Sequence, residues 1–321
     1  MKLGVLTVLF GGLPLEAALD RIKAAGLAAV EIGCGGYPGT AHCDAEVLLR
    51  DSDKLDVFKS AIESRGLFIS ALSCHGNPVH PNLEFAANSI KAFRNAVLLA
   101  EKLGVTRVIT FSGCPGDSDG SLFPNWVTCP WPDDYLKVLD YQWNKKLVPY
   151  WREEAQFAGD HGIGMICLEM HPGFCVYNPE TLLKLRDAVG TCIGANLDPS
   201  HLFWQGIDPV AAIRALKDAI FHFHAKDTRV DVINTRVNGV LDTKHYADEL
   251  QRSWIFRTVG YGHDADVWKD IVSALRMVGY DYVLSIEHED SLLSLDEGFS
   301  KAVSFLKDVM ASQPKGEMWW A

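Results

Sequence analysis

The sequence predicts an α/β protein built as a single (β/α)8 TIM barrel, and three observations support this fold class. Eight short apolar runs alternate with eight amphipathic segments, which is typical of parallel β/α units. The length of 321 residues suits one such barrel with some extended loops. The turn at residues 10–14 contains neither glycine-rich phosphate-binding signature that often follows the first strand of an open doubly wound sheet. The closed barrel is therefore favoured over the open sheet.

The predicted strands and helices alternate along the whole chain. Strands are expected at residues 2–9, 28–33, 68–73, 107–111, 164–169, 193–197, 220–225 and 282–287. Helices are expected at residues 14–25, 53–65, 83–103, 143–161, 179–189, 209–216, 266–278 and 295–310. The segment 83–103 has the clearest helical pattern, because its apolar residues recur every three or four positions. Several helices are followed by a glycine, which permits the left-handed turn that commonly ends a helix: Gly26, Gly66, Gly104, Gly162 and Gly279.

Two connections are longer than a plain loop between a strand and a helix. Residues 112–142 follow the fourth strand, and residues 227–265 follow the seventh. Both leave the carboxyl ends of strands, where barrel enzymes carry their active sites. We therefore expect them to form substrate walls, with contacts between subunits as the alternative. The C-terminal tail, residues 311–321, contains Trp319 and Trp320, which we expect to pack on this subunit or on a neighbour.

The composition narrows the class of protein and of partner. Apolar residues make up 48% and charged residues 22%, as in an ordinary globular protein. The 41 acidic and 30 basic residues give a net charge of −11, which argues against a nucleic-acid partner. We expect a cytoplasmic protein that does not bind membranes, because the apolar runs are short and no signal-peptide cleavage site is present. The eight cysteines form no C-x-x-C pair, so most are expected to be buried thiols.

Ionisable residues close four consecutive predicted strands. Glu169 ends the fifth strand, Asp198 follows the sixth, His224 lies near the end of the seventh, and Glu287 ends the eighth. The carboxyl ends of barrel strands meet at one mouth, so these side chains are expected to converge. Three carboxylates without a cation would repel one another or stay protonated. The set therefore indicates a divalent metal site, and its ligands suit Mn²⁺, Mg²⁺ or Co²⁺ better than a thiolate-type zinc site.

The sequence around these residues resembles the xylose isomerase-like TIM-barrel superfamily, which contains sugar isomerases, sugar epimerases and endonuclease IV. The matching words are CLEM at 167–170, LDPSH at 197–201, HFHAKD at 222–227 and SIEHED at 285–290, with VEIG at 30–33 and CHGNPVHP at 74–81. Each word is weak alone. Their order extends over essentially the whole chain and identifies the superfamily without identifying a substrate.

The resemblance implies both the metal ligands and the catalytic residues. Glu169, Asp198, His224 and Glu287 are the implied ligands, with Mn²⁺ as the expected ion and Mg²⁺, Co²⁺ or Zn²⁺ as alternatives. In ketose epimerases of this superfamily, the two glutamates also exchange protons with the substrate from opposite faces. Glu169 and Glu287 are therefore the implied catalytic residues.

Five further residues are predicted to bind the substrate. The resemblance places His201 beside the metal, and it places a polar residue shortly after the seventh strand, which is Arg229 here. His75 follows the third strand, and His171 lies two residues beyond Glu169. His263 lies in a glycine-rich segment that precedes the last but one predicted helix.

Three functions remain open at this point. The first is a divalent-metal-dependent isomerase or epimerase that moves a proton on a ketose or keto-sugar. The second is a lyase that eliminates the aglycone from a 3-keto glycoside, as do the large subunits of C-glycoside deglycosidases, which resemble this superfamily. The third is a non-catalytic sugar-binding barrel. A small carbohydrate is the expected ligand, with a homo-oligomer or a small partner subunit as the expected assembly. Endonuclease IV activity is disfavoured, because the chain lacks a histidine after the fourth strand and the D-x-H pair after the seventh.

Overall fold

Eight parallel strands close into a barrel in the computed structural model, which describes residues 1–320. Two further strands, β8 and β9, lie outside the barrel. All the strands in chain order are β1 (Lys2–Leu6), β2 (Ala29–Gly33), β3 (Phe68–Ser73), β4 (Arg107–Phe111), β5 (Met165–Glu169), β6 (Ile193–Leu197), β7 (Ile220–Ala225), β8 (Asp227–Val230), β9 (Trp254–Arg257) and β10 (Val283–Ile286). Strands β1 to β7 lie in sequence order around the barrel, and β10 closes it between β7 and β1. The predicted (β/α)8 barrel is confirmed.

Helices follow the strands along the chain. They are α1 (Leu15–Ala24), α2 (Ala45–Arg50), α3 (Ser52–Glu63), α4 (Leu83–Leu103), α5 (Asp134–Asp140), α6 (Val148–Asp160), α7 (Pro179–Val189), α8 (Pro199–Phe203), α9 (Pro209–Leu216), α10 (Val232–Asn238), α11 (Ala265–Met277) and α12 (Leu295–Val309). The predicted helix 83–103 coincides with α4. Its start is capped by the side chain of Asn82, and Gly104 with φ of 68° ends it. Among residues 1–320, no helix is long and apolar enough to cross a membrane.

The helices pack on the barrel through apolar faces of regular spacing. In α11, the buried residues include Trp268, Ile271, Val272 and Leu275, which lie three or four positions apart on one helical face. Burying such a side chain contributes about 1.5–3 kcal/mol each relative to leaving it exposed. This packing gives the strands a rigid support, so the residues at their carboxyl ends are held at defined positions.

Both long connections contain more regular structure than the sequence predicts. Residues 134–140 form α5, and a π-helical segment, Tyr141–Leu147, joins it to α6, so the predicted loop 112–142 ends before α5. Residues 227–265 contain β8 and β9, which pair as a two-stranded antiparallel sheet, and α10 between them. In β9, buried Trp254 and Phe256 alternate with the partly exposed residues between and after them, as expected of a strand with one covered face.

The cysteine and C-terminal predictions have different outcomes. All eight cysteines are free, and all except Cys129 and Cys192 are buried.

Trp319 and Trp320 are 86% and 68% exposed, so the expectation that they pack on this subunit is wrong. The tail leaves α12 without returning to the barrel surface at these two residues. Packing on a neighbour stays a prediction.

A buried carboxylate, Asp227, joins the second connection to the barrel. It lies two residues after the end of β7, and it accepts hydrogen bonds from the backbone N–H groups of Gly260, Gly262 and His263. The Trp268 indole N–H, at 3.2 Å, also reaches its carboxylate. A Cβ atom at Gly262 would lie 2.5 Å from Asp227 Oδ1, so only glycine fits there. Asp227 therefore fixes the segment that leads from β9 into α11.

We predict that Asp227→Asn lowers the free energy of unfolding by about 2–4 kcal/mol, because an amide cannot accept from all these donors and leaves some of them unpaired. Urea unfolding followed by circular dichroism measures the change. Asp231→Asn is the matched control, since Asp231 caps α10 and asparagine caps a helix equally well. Equal stabilities of the two variants would contradict the proposed role of Asp227.

Candidate metal centre

Four side chains converge at the mouth of the barrel. Glu169 ends β5, Asp198 follows β6 and caps α8, His224 lies in β7, and Glu287 follows β10. One potential ligand atom from each of them lies within 4.8 Å of the others. Glu169, Asp198 and His224 are buried, and the Glu287 side chain is 16% exposed. The structure thus brings together the predicted metal ligands.

Several ligand atoms of this set lack a well-aligned hydrogen bond within the described chain. Asp198 Oδ2, His224 Nδ1 and Glu287 Oε2 are buried and have only close contacts with neighbouring ionisable groups. His224 Nδ1 lies 2.9 Å from Glu287 Oε2 and 3.2 Å from Glu169 Oε2. Two ligands of one small divalent ion, each about 2.1 Å from it at a right angle, are about 3 Å apart. The donor set therefore fits a divalent cation with three carboxylates and one imidazole as ligands.

A fourth carboxylate, Glu31, orients the imidazole of His224. His224 Nε2 lies 3.0 and 2.9 Å from the two oxygens of Glu31. Glu31 also accepts a 2.7 Å hydrogen bond from Ser285 and another from Ser73. A carboxylate on one ring nitrogen fixes the tautomer and leaves the other nitrogen free to bind a metal. The sequence analysis includes Glu31 in the VEIG word without assigning it a role. The pattern that could have indicated one is an acidic residue inside an otherwise apolar strand.

Glu169 is held by three side chains, one that follows β3, one in β6 and one in α8. His75 Nε2 and Asn196 Nδ2 each lie 3.0 Å from Glu169 Oε2, and His201 Nε2 lies 3.2 Å from Oε1. Burial alone would raise the pKa of Glu169, but hydrogen bonds with His201, His224 and His75 hold it well below the usual value. His75 and His201, both predicted to bind substrate, therefore also position a carboxylate of the metal centre.

The raised pKa of Asp198 indicates that the basic side chains around the cluster offset the negative charge of its carboxylates only in part. Burial raises the pKa of Asp198 to about 6, although His201 and Lys226 favour its charged form. The Lys226 ammonium lies 3.3 Å from Glu287 Oε1 and 2.6 Å from Glu289 Oε2. Burial would lower the pKa of Lys226, but Glu287 and Glu289 raise it well above the usual value. A bound cation would supply the remaining positive charge.

A cavity of about 330 Å³ opens above these residues. We call it the reaction cavity; its walls are Phe111, Glu169, His171, His201, Lys226, Tyr246, Ile255, Phe256, Glu287, Glu289 and Ser291. His171 lies in this wall with its ring centre 4.0 Å from that of His201. Burial, followed by the charge of His201, lowers the pKa of His171 to about 3. Glu169 and Glu287 thus line the same cavity.

Three of the five predicted substrate contacts are not among the walls of the reaction cavity: His75, which contacts Glu169, and also Arg229 and His263. Arg229 is exposed on β8 and donates to the carbonyl of Gly262. The imidazole of His263 lies 2.8 Å from Asp227 Oδ1 and stacks on Phe203 at 3.6 Å between ring centres. Both residues are tied to the Asp227 segment, which turns them away from the metal centre. The structure therefore does not bring them to the predicted site.

A sequence model of the "Xylose isomerase-like TIM barrel" family matches residues 19–309. The chain belongs to this family. It is 39% identical to "Uncharacterized protein YfiH" of Bacillus subtilis, over 97% of this chain and 100% of that protein. It is 26% identical to "Rhizopine catabolism protein MocC" of Rhizobium meliloti, over 87% and 76%. It is 21% identical to "Inosose dehydratase" of Geobacillus thermodenitrificans, over 93% and 90%. The resemblance found in the sequence is confirmed.

Solved structures show the same fold. The IolI protein "with a binding zinc atom" superposes with a TM-score of 0.66 at 20% identity, covering 96% of this chain and 98% of that one. The probable 3-DHS dehydratase AsbF of Bacillus anthracis has a TM-score of 0.66 at 17% identity, covering 96% and 99%. A D-tagatose 3-epimerase-like protein has a TM-score of 0.63 at 20% identity, covering 96% and 98%. These three neighbours, at 17–20% identity, share the barrel fold with this chain.

We predict that Glu31→Gln weakens divalent-metal binding by about 10–100-fold, because it removes the carboxylate that orients His224. Isothermal titration of the EDTA-treated protein with Mn²⁺ measures the dissociation constant. Glu154→Gln is the matched control, since Glu154 is also buried but pairs with Arg94 on the outside of the barrel. Unchanged affinity in Glu31→Gln, with a folded protein, would refute the role of Glu31.

A second prediction concerns the number of bound ions. The EDTA-treated protein is expected to bind one divalent ion per chain, and Asp198→Asn with Glu169→Gln is expected to bind none, because two of the charged ligands are lost. Native mass spectrometry after titration with Mn²⁺ counts the ions. Retention of a tightly bound ion by the double variant would place the ion elsewhere.

Proposed function

We propose that the protein is a divalent-metal-dependent isomerase or epimerase that moves a proton on a ketose or keto-sugar. The observation that carries the proposal is that Glu169 and Glu287 belong to the cation-binding set and also line the reaction cavity. A site for a cation and two carboxylates thus face the same space. Mn²⁺ is the proposed ion, and the zinc named for the IolI neighbour supports a divalent ion in this fold.

The residues of the chain suit proton transfer beside a carbonyl group. Glu169, Asp198, His224 and Glu287 would hold a divalent cation, which would supply polarisation of a substrate carbonyl and so acidify the neighbouring C–H bond. One glutamate accepts that proton, and the other returns a proton to the same or to the adjacent carbon. Against the effect of burial, the charge of Lys226 favours the charged form of Glu287, and hydrogen bonds with His201, His224 and His75 favour that of Glu169. Both carboxylates are thereby held unprotonated at neutral pH.

The walls of the reaction cavity suit a small polar ring or chain. Phe111 and Phe256 offer apolar faces, while His171, His201 and Ser291 offer polar groups. The chemistry named for the neighbours supports a polyol or sugar, since one relative is a dehydratase of inosose and one neighbour is 3-epimerase-like. We propose a small carbohydrate as the ligand, with no nucleic acid, in keeping with the net charge of −11.

A lyase is the second candidate, favoured by the dehydratase relative and by a further cavity beside the reaction cavity. On a 3-keto glycoside, a glutamate would remove the proton from C2. The electron pair of that C–H bond would then form the C1=C2 double bond as the C1–O bond breaks. The departing oxygen takes a proton and leaves as an alcohol. The same acid and base residues serve this reaction, and only the fate of the enolised substrate differs.

We predict that the wild-type protein with Mn²⁺ incorporates solvent deuterium next to the carbonyl of its substrate, and that Glu169→Gln and Glu287→Gln each reduce this exchange by at least about 100-fold. Mass spectrometry after incubation in D₂O, with free ketoses, sugar phosphates and 3-keto glycosides, measures the exchange.

Glu297→Gln is the control, because Glu297 is a partly exposed glutamate in the first turn of α12. Exchange in either active-site variant at the wild-type rate would show that its acid–base role is wrong. Loss of the departing group together with deuterium uptake would select the lyase over the epimerase.

A further inference from the structure

A second cavity, of about 380 Å³, adjoins the reaction cavity. We call it the aromatic cavity; its walls are Trp126, Thr128, His171, Pro172, Gly173, His201, Trp204, Leu241, Asp242, Thr243, Tyr246, Trp254 and Phe256. Both long connections contribute to it, Trp126 and Thr128 from the first and residues 241–256 from the second. Both cavities have volumes within the range of about 300–1,000 Å³ that is typical of ligand pockets.

The two cavities share four lining residues. His171, His201, Tyr246 and Phe256 line both of them. His201 lies 3.2 Å from Glu169 on one side, so the aromatic cavity begins one side chain away from the metal centre. A ligand bound at the metal centre and extended past His171 and His201 would therefore enter the aromatic cavity.

The chemistry of the aromatic cavity suits a ring that carries oxygen atoms. Trp204 and Trp254 stack face to face at 4.5 Å, and Trp254 contacts Phe256 edge-on at 5.3 Å. Such aromatic surfaces bind rings by contact with their apolar faces. The indole N–H groups of Trp126 and Trp204 have no acceptor within residues 1–320. Trp204 is only 5% exposed, so little solvent reaches it. Unpaired buried donors cost free energy, which an acceptor oxygen on a ligand would recover.

We infer that the aromatic cavity is a second subsite, and that the substrate is a two-ring keto-sugar glycoside rather than a free monosaccharide. The reacting ring occupies the reaction cavity, and the ring attached through the glycosidic oxygen occupies the aromatic cavity. The second ring is a phenyl-type aglycone or another sugar, which share a flat apolar face and attached oxygen. This inference rests on the proposed function for the reacting ring, but the subsite itself is tested by binding alone.

The test compares ligands with one ring and with two. Binding of methyl β-D-glucopyranoside, phenyl β-D-glucopyranoside and cellobiose is measured by tryptophan fluorescence and calorimetry. At least one of the two-ring ligands is expected to bind about tenfold more tightly than the methyl glycoside, which corresponds to about 1.4 kcal/mol. The preferred ligand identifies whether the second ring is aromatic or a sugar.

A variant that narrows the aromatic cavity provides the structural control. Thr243→Trp places a bulky side chain at an exposed wall position, so the ratio of two-ring to one-ring affinity is expected to fall to about one. Val237→Trp adds the same side chain at an exposed position of α10 outside both cavities, and the ratio is expected to stay at its wild-type value. Equal affinities of all three ligands for the wild-type protein, or an unchanged ratio in Thr243→Trp, would overturn the inference.

Exchange measurements separate this inference from the proposed function. The 3-keto forms of the same three compounds are incubated with Mn²⁺ in D₂O, and a higher kcat/KM for a two-ring form supports the subsite. Exchange at equal efficiency on the one-ring and two-ring forms would overturn the subsite and retain the proposed function. A two-ring binding preference without any exchange would retain the subsite and contradict the proposed function.

Discussion

Electrostatic repulsion among buried carboxylates is the constraint on which the mouth of this barrel depends. Glu169, Asp198 and Glu287 are held with ligand atoms inside a 4.8 Å cluster that also contains His224. Such a cluster is stable only if positive charge and hydrogen-bond donors surround it. The chain supplies part of this compensation through its histidines and the buried ammonium of Lys226. In the proposed function, a divalent cation would complete it, and the carboxylates whose repulsion must be balanced would be the ligands of that cation.

The rest of the site is arranged around that balance. Glu31 lies between His224 and two serines, and in this way strand β2 determines which nitrogen of an imidazole on β7 faces the cluster. The second connection contributes Tyr246 and Phe256 to the cavity walls, while Asp227 anchors its far end. The rigid barrel therefore positions the reacting groups, and the connections determine the shape and polarity of the space that a substrate enters.

The sequence predicted the barrel and the four clustered residues because both depend on local patterns. Each strand has its own apolar run, and the parallel arrangement carries its terminal residue to the common mouth. The role of Glu31 depends on a contact with a residue 193 positions away, which no local pattern encodes. Arg229 and His263 lie outside the reaction cavity, where β8 and the hydrogen bonds of Asp227 direct the backbone after β7, and their substrate contacts stay a prediction. Strand β8 has only four residues and lies inside a long connection. Its sequence pattern was therefore too weak to predict the strand or the path of the backbone after β7.

Anomalous X-ray diffraction from crystals grown with Mn²⁺ tests the central claim most directly, because it locates the ion without reference to activity. The account predicts one strong manganese peak bounded by Glu169, Asp198, His224 and Glu287, with His224 contributing Nδ1. Its distances to the ligand oxygens are expected to be about 2.0–2.4 Å. A peak at another place, or none at a saturating manganese concentration, would contradict the metal centre and the function derived from it.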